Sequence, residues 1–242
     1  MIGLGTIINT FAVAVAGLLG RLFGRFLTPR HQDTVMMVSG VSVLFLAIAG
    51  VMEHMLSIVE GGLVSGESLL LVSCLTLGAL VGETVNLEDG FTNFGEWLKK
   101  KTGHSKDGGF VDAFVTASLT VSIGAMAIVG SIQDGIQGDT SILVTKSILD
   151  FIIVFVMSSS MGSGCIFSAI PIFVLEGSMT LLARLISPLL TDLALHNISL
   201  VGNVLIFCVG MNLVFGKKVR VANLLPSLIF AVAAAFLPIN WM

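Results

Sequence analysis

Lys146 and Asp150 stand four residues apart in an otherwise apolar stretch, with Ser147 between them. On a helix, that spacing puts an ammonium and a carboxylate on one face, where pairing lowers the cost of burying both. The segment before them, Gly130-Ser131-Ile132-Gln133-Asp134-Gly135, closes with Gly138-Asp139-Thr140. Glu176, beside Gly177, follows Pro171 in another apolar run. A proline there leaves a carbonyl unpaired, which a membrane protein tolerates where backbone lines a cavity or is otherwise satisfied. Asn9 and Ser168 each follow a glycine-rich opening, Gly3-Leu4-Gly5-Thr6 and Gly162-Ser163-Gly164. Such openings either present N–H groups to an anionic or polar ligand or let helices pack closely. An ionisable side chain inside a bilayer costs about 2.5–3.5 kcal/mol on insertion scales and marks a functional site by default. Asn9, Asp134, Lys146, Asp150, Ser168 and Glu176 therefore read as a solute or ion pathway. In it Asp150 binds a cation or proton, Lys146 modulates it, and Asn9 and Ser168 touch ligand. The Lys146–Asp150 pair reads equally well as a staple between helices.

Other chemistry is poorly represented. No HExxH, phosphate loop or zinc-type Cys/His cluster occurs. Cys74, Cys165 and Cys208 lie in apolar stretches and read as small core residues. The four histidines, His31, His54, His104 and His196, fall in loops or at span ends, away from Ser163. Gln137 before Gly138-Asp139 breaks the Gly-x-Gly-Asp pattern of intramembrane aspartyl proteases. The expectation is no enzyme, no cofactor and no metal. A net charge of -3 gives no basic field for nucleic acid.

The elements that must position these residues are membrane helices. Of 242 residues, 55% are apolar and 11% charged, against about a quarter charged in soluble domains; mean hydropathy is +1.02. A hydrocarbon core about 30 Å thick takes about 20 apolar residues per helix. Spans fall near 2–20, 35–56, 68–85, 111–132, 141–161, 165–186, 198–215 and 222–238. This is an all-α, polytopic membrane fold with about eight crossings. Lys146 and Asp150 lie about 9 and 15 Å of helix rise into the fifth. Arg21, Arg25 and Arg30 mark the first loop, Lys99, Lys100, Lys101 and Lys106 the third, and Lys217, Lys218 and Arg220 the seventh. Ten of the 12 basic residues thus share one side. Cytoplasmic loops collect Lys and Arg, so both termini are expected outside. The second loop carries Glu53, Glu60 and Glu67 without a lysine or arginine. In the third loop, Leu87, Phe91, Phe94, Trp97 and Leu98 recur at helical spacing, predicting an amphipathic helix on the inner surface.

Sliding the chain by 159 positions aligns 3–33 with 162–192, with eight identities in 31 positions. They include Arg25 on Arg184, Pro29 on Pro188 and Asp33 on Asp192; Asn9 falls on Ser168. Because the first and sixth spans run in opposite directions, spans 1–3 and 6–8 are expected to be inverted repeats around a central hairpin. That arrangement is typical of secondary transporters. A single integral membrane domain, 1–242, then divides into a first unit 1–85, a cytoplasmic amphipathic loop 86–110, a central hairpin 111–161 and a second unit 162–242.

The run from Gly124 to Gly135, then Gly138-Asp139 and Lys146-Ser147-x-x-Asp150, resembles the bacterial YqgA/YdfK-like family. Gly5-Thr6-Ile7-Ile8-Asn9 and Val221-Ala222-Asn223-Leu224-Leu225-Pro226 carry the same resemblance, which covers essentially the whole chain. It implies a bacterial cytoplasmic-membrane protein of a domain-of-unknown-function family, and brings no substrate or catalytic residues with it. The functional expectation is a transporter of a small solute or ion, its partners being the lipid bilayer and that solute. The alternative is a non-transporting sensor or assembly module acting through the basic cytoplasmic loop. Small residues on several spans would permit a homo-oligomer.

Overall fold

In lipid, every backbone polar group must find its partner within the segment, and the apolar runs accordingly fold as helices. The computed structural model describes residues 2–59, 61–122 and 125–237. Its first part runs α1 (Leu4–Gly24), α2 (Pro29–Met55), a hairpin of β1 (Leu56–Val59) and β2 (Gly62–Ser65), and α3 (Ser68–Val85). Next come α4 (Leu87–Lys101), α5 (Phe110–Ser122), α6 (Ala125–Gln137) and α7 (Ser141–Met161). A 3-10 turn, Ser163–Ser168, leads into α8 (Ala169–Ile186); α9 (Asp192–Phe215) follows, and a second 3-10 turn, Val221–Leu224, opens α10 (Pro226–Ala234). Among the described residues six helical segments are long and apolar enough to cross a membrane, or seven if the bent α5–α6 pair is one span. The shorter apolar helix Val221–Ala234 comes in addition. Large apolar side chains such as Phe11, Phe45, Leu80, Ile148 and Leu181 point outward. A belt of that kind belongs against lipid. The chain is an all-α polytopic membrane protein.

Three helix pairs organise the bundle, and each runs antiparallel. In α1 and α8, Thr6 meets Thr180 and Asn9 meets Glu176. In α2 and α9, Gly40 lies against Val214 and Gly50 against Asn203. In α3 and α10, Gly78 faces Ser227, and Gly82 faces Asn223 in the 3-10 turn that opens α10. The central segment fits between: α7 packs mainly on α1, and α6 on α8. The basic loops gather at one end. Arg21 and Gln32 share a cavity of ≈ 690 Å³ with His104 and Lys106, and Lys217 Nζ lies 2.9 Å from Glu88 Oε1. At the opposite end, the His54 and His196 ring centroids are 4.9 Å apart, with His196 Nε2 3.1 Å from Glu67 Oε1.

The structure departs from the sequence expectation at four places. The fourth span is not one straight helix: α5 and α6 meet at a bend of 63°. The bend follows Ser122; Gly124 of the family-like run lies outside the described residues, as do Glu60 of the second loop and 238 at the end of the eighth span. The second loop contains the β1–β2 hairpin, paired antiparallel from Leu56 with Ser65 to Val59 with Gly62. Pro171 does not leave a carbonyl unpaired within the sixth span. It falls in the first turn of α8, where a missing N–H costs nothing because that group has no partner within the helix. The amphipathic helix of the third loop is α4, but it does not merely lie on a surface: Leu98 is buried, Gly95 lies against Phe114 and Val111, and Glu88 is buried.

Candidate functional site

Asn9 is the sixth residue of α1, Asp150 the tenth of α7's 21 residues, and Glu176 the eighth of α8. With Lys146 one turn before Asp150, the three helices bring four polar side chains together in the bundle interior. Their relative exposures are 0% for Asn9, 1% for Glu176, 5% for Asp150 and 6% for Lys146, so none is solvated from outside. Asn9 Nδ2 donates to Glu176 Oε1 at 2.7 Å and to Asp150 Oδ2 at 3.1 Å. Lys146 Nζ bonds to Asp150 Oδ2, donates to the Val121 carbonyl at 2.7 Å and stands 3.7 Å from Glu176 Oε1. Thr6 and Thr180 hydroxyls meet at 3.2 Å beside the cluster.

The Val121 contact has a physical reason. The last four carbonyls of a helix lack intrahelical partners and carry the negative end of its dipole. Ser122 is the last described residue of α5, so Lys146 places an ammonium against the carbonyl end of that helix as described. A helix carbonyl aimed at buried charge suits a site that binds small ions or polar groups. The cluster holds one cationic and two acidic side chains. Among the described residues, Glu176 Oε2 and Asn9 Oδ1 are buried without a hydrogen-bond partner.

A cavity of ≈ 330 Å³ reaches this centre. Lys146 and Asp150 line it together with Thr120, Ser199 and Asn203, and Glu53 and His54 lie at its other end. Those last two close α2, at the end of the bundle away from the basic loops.

Two of the six site residues expected from sequence lie elsewhere. Asp134 Oδ1 accepts from Gly3 N at 3.1 Å and Oδ2 from Gly5 N at 2.9 Å. The glycine-rich opening of α1 thus does bind an anion, supplied by the protein itself. Gly3 has φ 84°, a left-handed conformation that turns its N–H toward the carboxylate at no steric cost. A Cβ on Gly5 would sit 3.1 Å from Asp134 Oδ2 and 2.9 Å from Leu143 Cβ. Ser168 is buried and donates to the Cys165 carbonyl at 2.7 Å, about 12 Å of helix rise from Glu176. At the second glycine opening, Ser163 Oγ donates to Asp107 Oδ2 at 2.7 Å.

Sequence reasoning missed the Val121 carbonyl, since every residue has one and only helix packing brings this one to Lys146. It also missed Thr6 and Thr180, whose types are unremarkable in apolar runs. Asp139 lies outside the bundle in the α6–α7 turn; hydrogen bonds from the Ser141 hydroxyl and amide hold its carboxyl below the ordinary 3.8.

Residues 4–236 match the family model described as "Protein of unknown function (DUF554)". The chain is 28% identical over 232 residues to "Uncharacterized membrane protein YdfK" of Bacillus subtilis (strain 168), covering 96% of this chain and 95% of that protein. It is 30% identical over 235 residues to "Uncharacterized protein YqgA" of Escherichia coli (strain K12), covering 94% of each. No solved structure matches. With the family model spanning nearly all of its length, this membrane protein belongs to the DUF554 family.

Proposed function

We propose that the protein is a transporter of a small solute or ion in the bacterial cytoplasmic membrane. The observation that carries this reading is the buried cluster of Asn9, Lys146, Asp150 and Glu176, closed on the Val121 carbonyl of α5. Charged groups in a bilayer interior are costly and concentrate along solute and ion routes. Asp134 and Ser168 complete the proposed pathway as its supports, one holding the start of α1 and the other the start of α8.

The proposed topology is eight crossings with both termini extracytoplasmic, α5–α6 and Val221–Ala234 each counting as one. The antiparallel pairing of α1 with α8, α2 with α9 and α3 with α10 supports units 1–85 and 162–242 as inverted repeats around the hairpin 111–161. The gathering of the basic loops at one end supports the orientation. No catalytic step, cofactor or nucleic acid enters this reading, and the bilayer is the partner it requires.

The test is a flux screen in proteoliposomes against a panel of small ions and polar solutes. Flux lost or strongly slowed in Asp150→Asn and Lys146→Met supports the site. Both variants matching wild type would sink it. A second reading, a sensor or assembly module acting through the basic loop, draws on the exposed Phe94–Trp97 stack of α4, with ring centroids 5.7 Å apart. Replacing the exposed Trp97, Lys100 and Lys101 by serine separates the two, because a transporter keeps its flux and a signalling module loses its output.

A further inference from the structure

Two buried oxygens of the central cluster meet no donor among the described residues, the amide Oδ1 of Asn9 and one oxygen of the Glu176 carboxyl, and of the two only the carboxyl can carry charge. Asp150 takes Lys146 and Asn9 on Oδ2. Glu176 takes Asn9 on Oε1 and stands off Lys146 at 3.7 Å, while Oε2 meets no donor among the described residues. Two carboxylates against one ammonium leave one uncompensated negative charge, at a residue 1% exposed. A buried ion without a counter-charge or donors costs several kcal/mol, and such groups neutralise instead.

Among the described residues, the helices packed against Glu176 offer no second cation. On α1, Asn9 and Thr6 face it, and Arg21 is in the last turn, at the far end. The titratable group of α6 is Asp134, another acid, and that of α5 is Asp112, in the first turn and away from the break. On α7 the charged residues are Lys146 and Asp150 themselves. The 3-10 turn before α8 adds only Cys165.

We propose that the cluster binds one exchangeable proton, held on Glu176, with Lys146 as the tethered counter-cation of Asp150, and that this proton is the ion coupled to transport at the site. The word coupled rests on the transporter reading; the proton itself does not. Lys146 and Asp150 line the cavity that ends at Glu53 and His54, whereas Glu176 does not. A proton arriving in that cavity therefore reaches Glu176 over Lys146. The ammonium gives a proton to the Glu176 carboxylate, and the resulting amine takes one from the Asp150 side, so charge and atoms balance.

Infrared spectroscopy of the full chain in lipid nanodiscs reads the proton directly, as the carbonyl stretch of a carboxylic acid. The expected result is one buried acid band in wild type that shifts on labelling with carbon-13 glutamate, not with carbon-13 aspartate. It disappears in Glu176→Gln. Lys146→Met leaves two carboxyls with no cation, so a second acid band, sensitive to the aspartate label, appears. Filling the cavity by Ser199→Phe or Leu149→Trp slows exchange of the acid proton in heavy water at least tenfold. The absence of an acid band, its shift with aspartate instead of glutamate, or an unchanged band count in Lys146→Met overturns the assignment. The isotope arm uses the unmodified protein, so a variant that fails to fold does not remove the test. Coupling is read in proteoliposomes with an internal pH dye: the solute that scores in the flux screen must move protons in wild type and not in Glu176→Gln. A confirmed band in a protein that transports nothing in that screen would defeat the transporter reading and the coupling while leaving the proton site standing.

Discussion

Replacing Asp134 by asparagine keeps the shape of the side chain and removes its charge. In the native protein each carboxylate oxygen accepts one backbone N–H at the start of α1, from Gly3 at 3.1 Å and Gly5 at 2.9 Å, and the side chain is fully buried. Hydrogen bonds to a charged group contribute about 1.5–3 kcal/mol each. An anion at a helix N-terminus adds up to about 2 kcal/mol when partly buried. Asparagine retains one acceptor oxygen and turns an amide N–H₂ toward the other backbone N–H, so about half of the sum is lost, roughly 3 kcal/mol. At about 2–4 °C per kcal/mol for a chain of this size, the melting temperature falls by about 6–12 °C. The assay is a thermal melt in detergent with a thiol-reactive dye, which reports the exposure of the buried Cys74 and Cys165. Asp139→Asn is the control. That carboxylate also accepts from an amide, Ser141 N at 2.9 Å, but in an exposed turn, where water replaces it. If Asp134→Asn melts together with Asp139→Asn and wild type, the cap contributes nothing and the reasoning fails.

Glu88→Ala strips partners from Lys217 and from Ala222 N, which it accepts at 3.1 Å. The expected outcome is faster proteolysis in the segment between α9 and α10, where both partners lie, measured as the cleavage half-life of protein in nanodiscs. Gly82→Ala places a methyl group into the Asn223 carbonyl of the 3-10 turn before α10 and costs about 1–3 kcal/mol of overpacking, seen as a lowered melting temperature. Lowering pH below about 3.8 releases the Asp139 contribution: its folded carboxyl titrates below that ordinary value, so the contribution is complete above it and is lost as pH falls through the lower, folded value. Carboxyl NMR of Asp139 against Ser141→Ala checks this, since removing the hydroxyl must move the titration back toward 3.8. Ser105→Cys labelling only from the cytoplasm, and Ile58→Cys only from outside, checks the proposed orientation; the reverse pattern refutes it.

Much of this protein is written locally along the chain. Membrane class follows from composition, because the transfer energy of an apolar stretch into lipid is a sum over adjacent residues. For the same reason α1, α2, α3, α7 and α9 lie close to where hydropathy puts them. The four cluster residues also stood out in sequence, since a charge or amide in an apolar run is conspicuous wherever the run ends up. Their company did not. Asn9 and Glu176 are 167 positions apart and Asn9 and Asp150 141 apart, and only helix packing brings them within hydrogen-bond reach. Packing also sent Asp134 to the start of α1 and kept Ser168 on its own carbonyl, although residue type placed both with the rest. The packing of α7 beside α5 decided which carbonyl Lys146 meets. An amino-acid sequence states the cost of burying each polar group; the tertiary structure alone decides which neighbour offsets it, because that neighbour is chosen by geometry across helices and not by distance along the chain.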